Sequence, residues 1–230
     1  MISIITPILN EEGYVRPFLI HLNKVQGDFE LILVDGGSTD GTLKEVENCR
    51  NEFHGKLRLL IAERGRAIQM NKGAEAARGD ILLFLHVDCF IQKDSLAIIE
   101  KEIYRNGIIG GGFRHAFYDS DLFLRLNSAF GNLRAGLTRI FFGDFGIFLR
   151  KDIFEKIGRY DNIPILEDVE LCYKAKKYGK LRQIDRFIFT SPRRYLKHGK
   201  VRLTVVFILA NLFNIVGLRP RFLIRYIAGK

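Results

Sequence analysis

The sequence predicts an α/β domain with a mostly parallel central sheet flanked by helices. Three observations carry that expectation. First, Ile2–Thr6, Leu31–Val34, Leu57–Ala62 and Ile81–Leu85 read as short strands, the second and fourth with the apolar pattern of strands buried on both faces. Second, the segments between them show apolar positions at helical spacing, so the chain reads as repeated right-handed βαβ units. Third, no Pro- or Ser-rich linker divides the 230 residues, so both halves are expected to share one sheet and one core.

Taken in order, Ile2–Thr6 is a strand closed by Pro7, and Asn10-Glu11-Glu12 leads into a helix with Val15, Phe18, Leu19 and Leu22 on one face. Leu31–Val34 runs into Asp35-Gly36-Gly37-Ser38-Thr39-Asp40-Gly41-Thr42, a turn whose glycines permit close backbone approach. Ser38, Thr39 or Asp40 can cap the next helix, which carries Leu43 and Val46. After Leu57–Ala62, Glu63-Arg64-Gly65-Arg66 enters a helix with Ala67, Met70, Ala74 and Ala77 on one side. Ile81–Leu85 ends in His86-Val87-Asp88, which side-chain alternation places on one side of the strand's carboxyl end.

Beyond Asp88 the βα rhythm breaks. Lys93–Tyr104 is a helix, Ile109–His115 a glycine-led strand, and Asp121–Leu133 an amphipathic helix with Leu122, Leu126, Ala129 and Leu133. Gly143-Asp144-Phe145-Gly146 leads into the strand Ile147–Leu149, followed by a short helix Lys151–Ile157. Glu167-Asp168 opens a helix bearing Leu171, Cys172 and Ala175, and Phe187–Thr190 is the last core strand. Val201–Leu218 is strongly apolar, but Asn211, Asn214 and Gly217 interrupt it and basic residues flank it. It reads as an amphipathic tail that either lies on a membrane surface or packs on its own domain.

The net charge of +10 is concentrated towards the end, in Arg193, Arg194, Lys197, Lys200, Arg202, Arg219, Arg221, Arg225 and Lys230. Such an end suits a nucleic acid, an anionic membrane or a phosphorylated substrate. Three scattered cysteines without a CxxC pair argue against a disulfide framework or a zinc site and for a reducing compartment. The apolar start lacks a basic leader, so no signal peptide is expected and the chain is assigned to the cytoplasm, with membrane association through the tail left open.

Thr6, Asn10, Glu11, Asp35 and Asp88 fall at the carboxyl ends of their strands, the edge where open α/β sheets bind ligands. Asp35 can accept bonds from a base or ribose, or simply make its own turn. Asp88 can hold a divalent cation on a diphosphate, and Arg66 can add charge-assisted bonds or stay on the surface. Glu167-Asp168 either supports a helix start or supplies a general base for an attacking hydroxyl.

Pro7-Ile8-Leu9-Asn10-Glu11, Val34 to Thr42, Arg66 with Asn71-Lys72-Gly73, Leu85-His86-Val87-Asp88 and Glu167-Asp168 resemble, in order and spacing, family-two glycosyltransferases with the GT-A fold. The resemblance covers about Ile2 to Lys180. It implies a hexosyltransferase-type, inverting sugar transfer from a UDP or GDP donor to a hydroxyl acceptor, with Mg²⁺ or Mn²⁺. By that likeness Thr6, Pro7, Asn10, Glu11, Asp35, Gly36, Arg66, His86 and Asp88 line the nucleotide site. Asp88 is the metal ligand and Asp168 the catalytic base. Glu167, Arg193, Arg194 and His198 serve the acceptor or a closing carboxyl-terminal segment. Residues 1–115 are then the nucleotide-sugar half, 116–199 the acceptor and base half of the same domain, and 200–230 a basic helical tail. The family's Asp-x-Asp reads His86-Val87-Asp88, a form that looks like a small subgroup found near arsenosugar and radical-SAM genes.

Other classes fit less well. No GxGxxG follows the first strand, against a dinucleotide oxidoreductase. Pro7–Glu11 is not the Gly- and Arg-rich loop of a sugar-1-phosphate nucleotidyltransferase. A nucleic-acid binder would leave the strand-end carboxylates without a role, so no nucleic acid is expected. A degenerate nucleotide-sugar binder without turnover is favoured only by His86. A homodimer is an open expectation.

Overall fold

The computed structural model describes residues 1–105, 107–118, 121–215 and 220. Its eight strands form one sheet in the order β3-β2-β1-β4-β7-β6-β8-β5. They are β1 (Ile2–Ile8), β2 (Phe29–Asp35), β3 (Lys56–Ile61), β4 (Ile81–Phe84), β5 (Cys89–Ile91), β6 (Ile108–Phe117), β7 (Ile147–Arg150) and β8 (Lys180–Thr190). The helices that cover them are α1 (Glu12–Leu22), α2 (Thr42–Cys49), α3 (Arg66–Ala76), α4 (Ser95–Ile103), α5 (Leu122–Thr138), α6 (Lys151–Lys156), α7 (Glu167–Ala175), α8 (Arg193–His198) and α9 (Lys200–Ile215).

Strand alternation divides the core into two layers. Ile5, Ile32, Val34, Leu82 and Phe84 face α3 and α7, whereas Ile4, Leu31, Leu33 and Leu83 face α1 and α4. Both layers draw on both ends of the chain, since Leu171 and Phe141 join the first, and Phe148 and Ile188 the second.

Register explains why so many loops meet at one edge. β1, β2, β3 and β4 are parallel, so their carboxyl ends lie side by side. β7 runs antiparallel to β4 with Ile147 opposite Phe84, which brings the turn before β7 to that edge. β6 is antiparallel to β7, and β8 is parallel to β6, so both finish there, with Phe117 opposite Thr190. β5 starts there too, with Cys89 opposite Thr190. Residues 85–88, 143–146 and 191–193, far apart in sequence, thus converge.

Several elements differ from the sequence expectation. β1 does not stop at Pro7 but runs to Ile8. Ile5 O accepts from Leu85 N and Ile8 O from Gly36 N, so odd-numbered residues of β1 present their backbone groups towards β4. Pro7 lies beyond the last β1–β4 pair, Ile5 with Phe84, and its missing N–H costs no ladder bond. β4 ends at Phe84, so His86 and Asp88 sit in a turn closed by Cys89 N donating to His86 O, not on a strand. β8 begins seven residues earlier than Phe187. Arg193–His198, given no element in the sequence reading, is helical.

α5 is turned over. Leu122, Leu126, Ala129 and Leu133 point outward, and Leu124, Ser128 and Ala135 are the buried positions. Polar contacts set this orientation: Ser128 Oγ lies 3.0 Å from His115 Nδ1, and Asn132 exchanges bonds of 2.6 and 2.8 Å with the His115 backbone. The expected tail helix Val201–Leu218 is observed as α9, and its Gly217 and Leu218, like Arg219, Arg221, Arg225 and Lys230, lie outside the described residues.

Candidate active site

The loops after β1 and β2 are joined by their own polar groups. Asn10, in the left-handed region at φ 55°, donates its N–H to Ser38 Oγ at 2.9 Å, and its Oδ1 accepts from Thr39 N at 2.8 Å. Asn tolerates that backbone conformation better than most residues. Glu11 N donates to Thr42 Oγ1 at 2.7 Å. Asp35 Oδ2 accepts from Gly37 N and Ser38 N at 2.9 and 3.0 Å, and Oδ1 accepts from Ser38 Oγ at 2.5 Å. Asp35 therefore makes its own turn with three bonds, two on Oδ2 and one on Oδ1, so any further bond would fall on Oδ1. Gln69, not singled out in the sequence, donates to Ile8 O and Val34 O at 2.9 and 2.7 Å. It packs so close that a Cβ on Gly36 would lie 2.9 Å from it, so a larger residue there would displace the Gln69 amide from its two bonds. Thr6 is completely buried and its hydroxyl has no partner, so it does not line the open edge as expected.

Glu11 and Asp88 face one positive charge. The Arg193 guanidinium donates to both Glu11 oxygens at 2.6 and 2.7 Å, and its Nε lies 2.9 Å from Asp88 Oδ2. It also stacks 4.0 Å from the centre of the Tyr14 ring. Burial opposes the arginine charge, but the Glu11 bond and the Asp88 charge outweigh it and raise the Arg193 pKa. Among the described residues, no three His, Cys, Asp or Glu side chains gather closely enough to hold a metal ion by themselves. Two hard carboxylates converging on one cationic group have the chemistry to hold a divalent cation such as Mg²⁺ or Mn²⁺ together with ligands from outside the chain.

A second cluster surrounds Asp168. Its Oδ2 accepts from Gly143 N at 2.5 Å and its Oδ1 from Val169 N at 2.8 Å. Burial first, and then the adjacent Glu167 charge, push its pKa up to about 7, against the pull of Arg66. His86 approaches the same place: a Cβ built on Gly143 would lie 2.8 Å from His86 Nε2 and 3.5 Å from Asp168 Oδ2. Burial, followed by the Arg66 charge, lowers the His86 pKa and keeps the ring neutral near pH 7. Arg66, read in the sequence as either a charge-assisted donor or a surface residue, turns to Glu167 in the structure. It forms a two-pronged pair with buried Glu167 at 2.9 and 3.2 Å. Asn71 exchanges bonds with the Tyr160 backbone at 2.9 and 3.0 Å, pinning the loop that precedes Glu167.

Three more residues join this cluster without having been marked in the sequence. Asp144, next to Gly143, lies 3.7 Å from His115 Nε2 and has one buried oxygen without a bond. Arg134 stacks 3.9 Å from the Phe142 ring centre and faces Asp144 and Asp168. His115 is clamped between Ser128 and Thr190, whose hydroxyls lie 3.0 and 2.7 Å away. The Gly143-Asp144-Phe145-Gly146 turn was the only signal in the sequence for this group. Arg194 stands 5.7 Å over the Phe207 ring, and burial with the Arg66 charge lowers its pKa. His198 is half-buried at the end of α8.

Residues 3–158 match Glycosyl transferase family 2. The chain belongs to that family. An uncharacterized glycosyltransferase of Haemophilus influenzae is 34% identical over 121 residues, covering 52% of this chain and 48% of its own length, so the chain matches about half of that relative. The glycosyltransferase AglE of Haloferax volcanii is 23% identical over 96% of this chain and 82% of its own. Among solved structures, the family-two member superposes on a Pyrobaculum calidifontis mannosyltransferase in complex with GDP-Man and Mn²⁺ with a TM-score of 0.75 and 20% identity. That match covers 99% of this chain and 68% of the other. Glucosyl-3-phosphoglycerate synthase of Mycobacterium tuberculosis gives 0.61 and 16% identity over 96% and 81%. These likenesses establish the GT-A fold of the chain.

Proposed function

We propose that this glycosyltransferase moves a sugar from a nucleotide-diphosphate sugar to an acceptor hydroxyl, with inversion, in one direct displacement. The observation that carries this is a division of labour across the His86–Asp88 turn. On one side Glu11 and Asp88 converge on a single cation; on the other, buried Asp168 has a pKa of about 7. A general base works best when its pKa lies near the working pH. Asp168 takes the acceptor proton, the freed oxygen bonds to the anomeric carbon, and the bond from that carbon to the diphosphate breaks, leaving its electron pair on the nucleoside diphosphate. Neutral His86 and the Gly143 N–H fix the Asp168 side of the site, while Arg66 orients Glu167 and limits its repulsion of Asp168.

Asp88, with Glu11 beside it, would hold Mg²⁺ or Mn²⁺, which when bound supplies positive charge to the departing diphosphate. The relatives solved with GDP-Man and Mn²⁺ or with UDP support a UDP or GDP donor. Asn10, Gly36 and Asp35 would frame the nucleoside, and residues 116–199 would receive the acceptor. The same reading takes the histidine-first His86-Val87-Asp88 form as the mark of the small arsenosugar-associated, hexosyltransferase-type subgroup.

Thermal unfolding with UDP, GDP, CDP, dTDP and ADP, each with and without Mn²⁺, tests the reading. A ligand at a hundredfold its Kd adds about 2.7 kcal/mol, a rise on the order of 5 °C. A rise is expected for UDP or GDP only with the cation, and Asp88→Ala should remove the cation-dependent part. No rise for any nucleotide would overturn the assignment.

A further inference from the structure

The outward face of α5 is apolar along its whole length. Leu122, Leu126, Phe130, Leu133 and Leu137 follow each other at three- and four-residue steps, each at least 61% exposed. α9 packs against α5, and the Lys200–Asp121 ion pair ties their amino ends together. α9 adds its own exposed stripe, Val201, Val205, Ile208 and Leu212. Each helix is about 25 Å long at the usual rise, so two neighbouring apolar stripes face solvent. Exposed apolar surface on that scale marks an interaction site.

The charges beside the stripes select the partner. From Leu122 to Gly143, and again from Phe187 to Lys230, the sequence contains no Asp or Glu. Arg134, Arg193 and Arg194 turn into the site cluster, but Arg125 on α5, Arg139 just past it, Lys197 on α8 and Arg202 on α9 are exposed. Apolar stripes whose own helices carry exposed cations, with Asp121 neutralised by Lys200 at one end, fit an interface that is itself apolar below and anionic above. No helix of the described residues is long and apolar enough to cross a bilayer, so contact would be in the plane of the surface.

We propose that the joint outward face of α5 and α9 docks on the surface of an anionic lipid bilayer. The proposal goes beyond the transferase reading and stands without it. Flotation of the full chain with vesicles tests it, using phosphatidylcholine alone and phosphatidylcholine with about one-third phosphatidylglycerol. Wild type should float with the anionic vesicles and partition at least about tenfold less onto neutral ones. Leu126→Glu with Phe130→Glu, and separately Ile208→Glu with Leu212→Glu, should each lower partitioning about tenfold or more. These side chains are exposed, so the unfolding midpoint and any nucleotide-induced rise, measured without lipid, should match wild type. Those lipid-free readings also report on the transferase site separately. Wild type remaining unbound, or both double variants floating as well as wild type, would overturn the proposal. So would a lipid-free dimer by light scattering that Leu126→Glu with Phe130→Glu dissociates while anionic vesicles bind no protein; the face would then belong to a second copy.

Discussion

Asp168 takes its chemistry from its surroundings. Its pKa rises from the ordinary 3.8 to about 7 because it is buried beside Glu167. Between those values the folded state holds a proton that the unfolded chain has released. Stability therefore falls as pH rises from about 4 to about 7 and levels off above. Transfer should show the opposite trend, rising with a midpoint at about 7 as the base becomes ionised and levelling off about one unit higher. Asp168→Asn should cut turnover by about a thousandfold. It should also raise the unfolding midpoint relative to wild type more at pH 8 than at pH 5. Equal midpoint changes at the two pH values would remove the buried-charge account. The Glu167-Asp168 pair was legible in the sequence because two acids stood at a helix start. Asp144 and Arg134 were not, since nothing local to a turn or a helix says that the first will meet His115, 29 positions away, or the second Asp168, 34 positions away.

β6 shows how an element's neighbours dictate its residues. Gly110, Gly111 and Gly112 lie where the strand passes between β7 and β8. A Cβ on Gly111 would come 1.8 Å from the Arg182 carbonyl oxygen, a backbone atom that cannot swing away. Gly111→Ala should cost about 3 kcal/mol or more, read as a lower denaturant midpoint. An unchanged midpoint would mean that the two strands separate easily. β2 and β4 were readable because both of their faces are covered, which leaves the unbroken apolar runs Leu31–Val34 and Ile81–Leu85, and β1 because its apolar residues outnumber the buried Ser3 and Thr6. β8 was read only at its last four residues: Lys180, Arg182 and Asp185 face solvent and break the run, while Leu181, Ile184 and Ile188 are buried. The face of α5 was misassigned because apolar spacing reveals a stripe without revealing which way it points, and the His115 contacts decide that.

For the whole molecule, the sequence was sufficient for parallel βαβ units and for a shared edge of strand-end carboxylates. The β7-β6-β8-β5 half of the order was not readable, since antiparallel pairing across long separations leaves no periodic trace. That half brings Arg193 to Glu11 across 182 positions. The arginine is a counter-ion fastened to the chain, present at an effective concentration that a dissolved cation does not match. If Glu11 and Asp88 hold the cation as proposed, bare Mn²⁺ competes with it, so the resting site should take up manganese poorly without nucleotide, and donor affinity should include the free energy of unseating the guanidinium. Titration calorimetry without nucleotide should find Mn²⁺ bound about tenfold more tightly by Arg193→Ala than by wild type, whereas equal affinities would show no competition. Such a protein would be a poor scavenger of stray metal in the cell, loading the ion only when it arrives with the molecule that needs it.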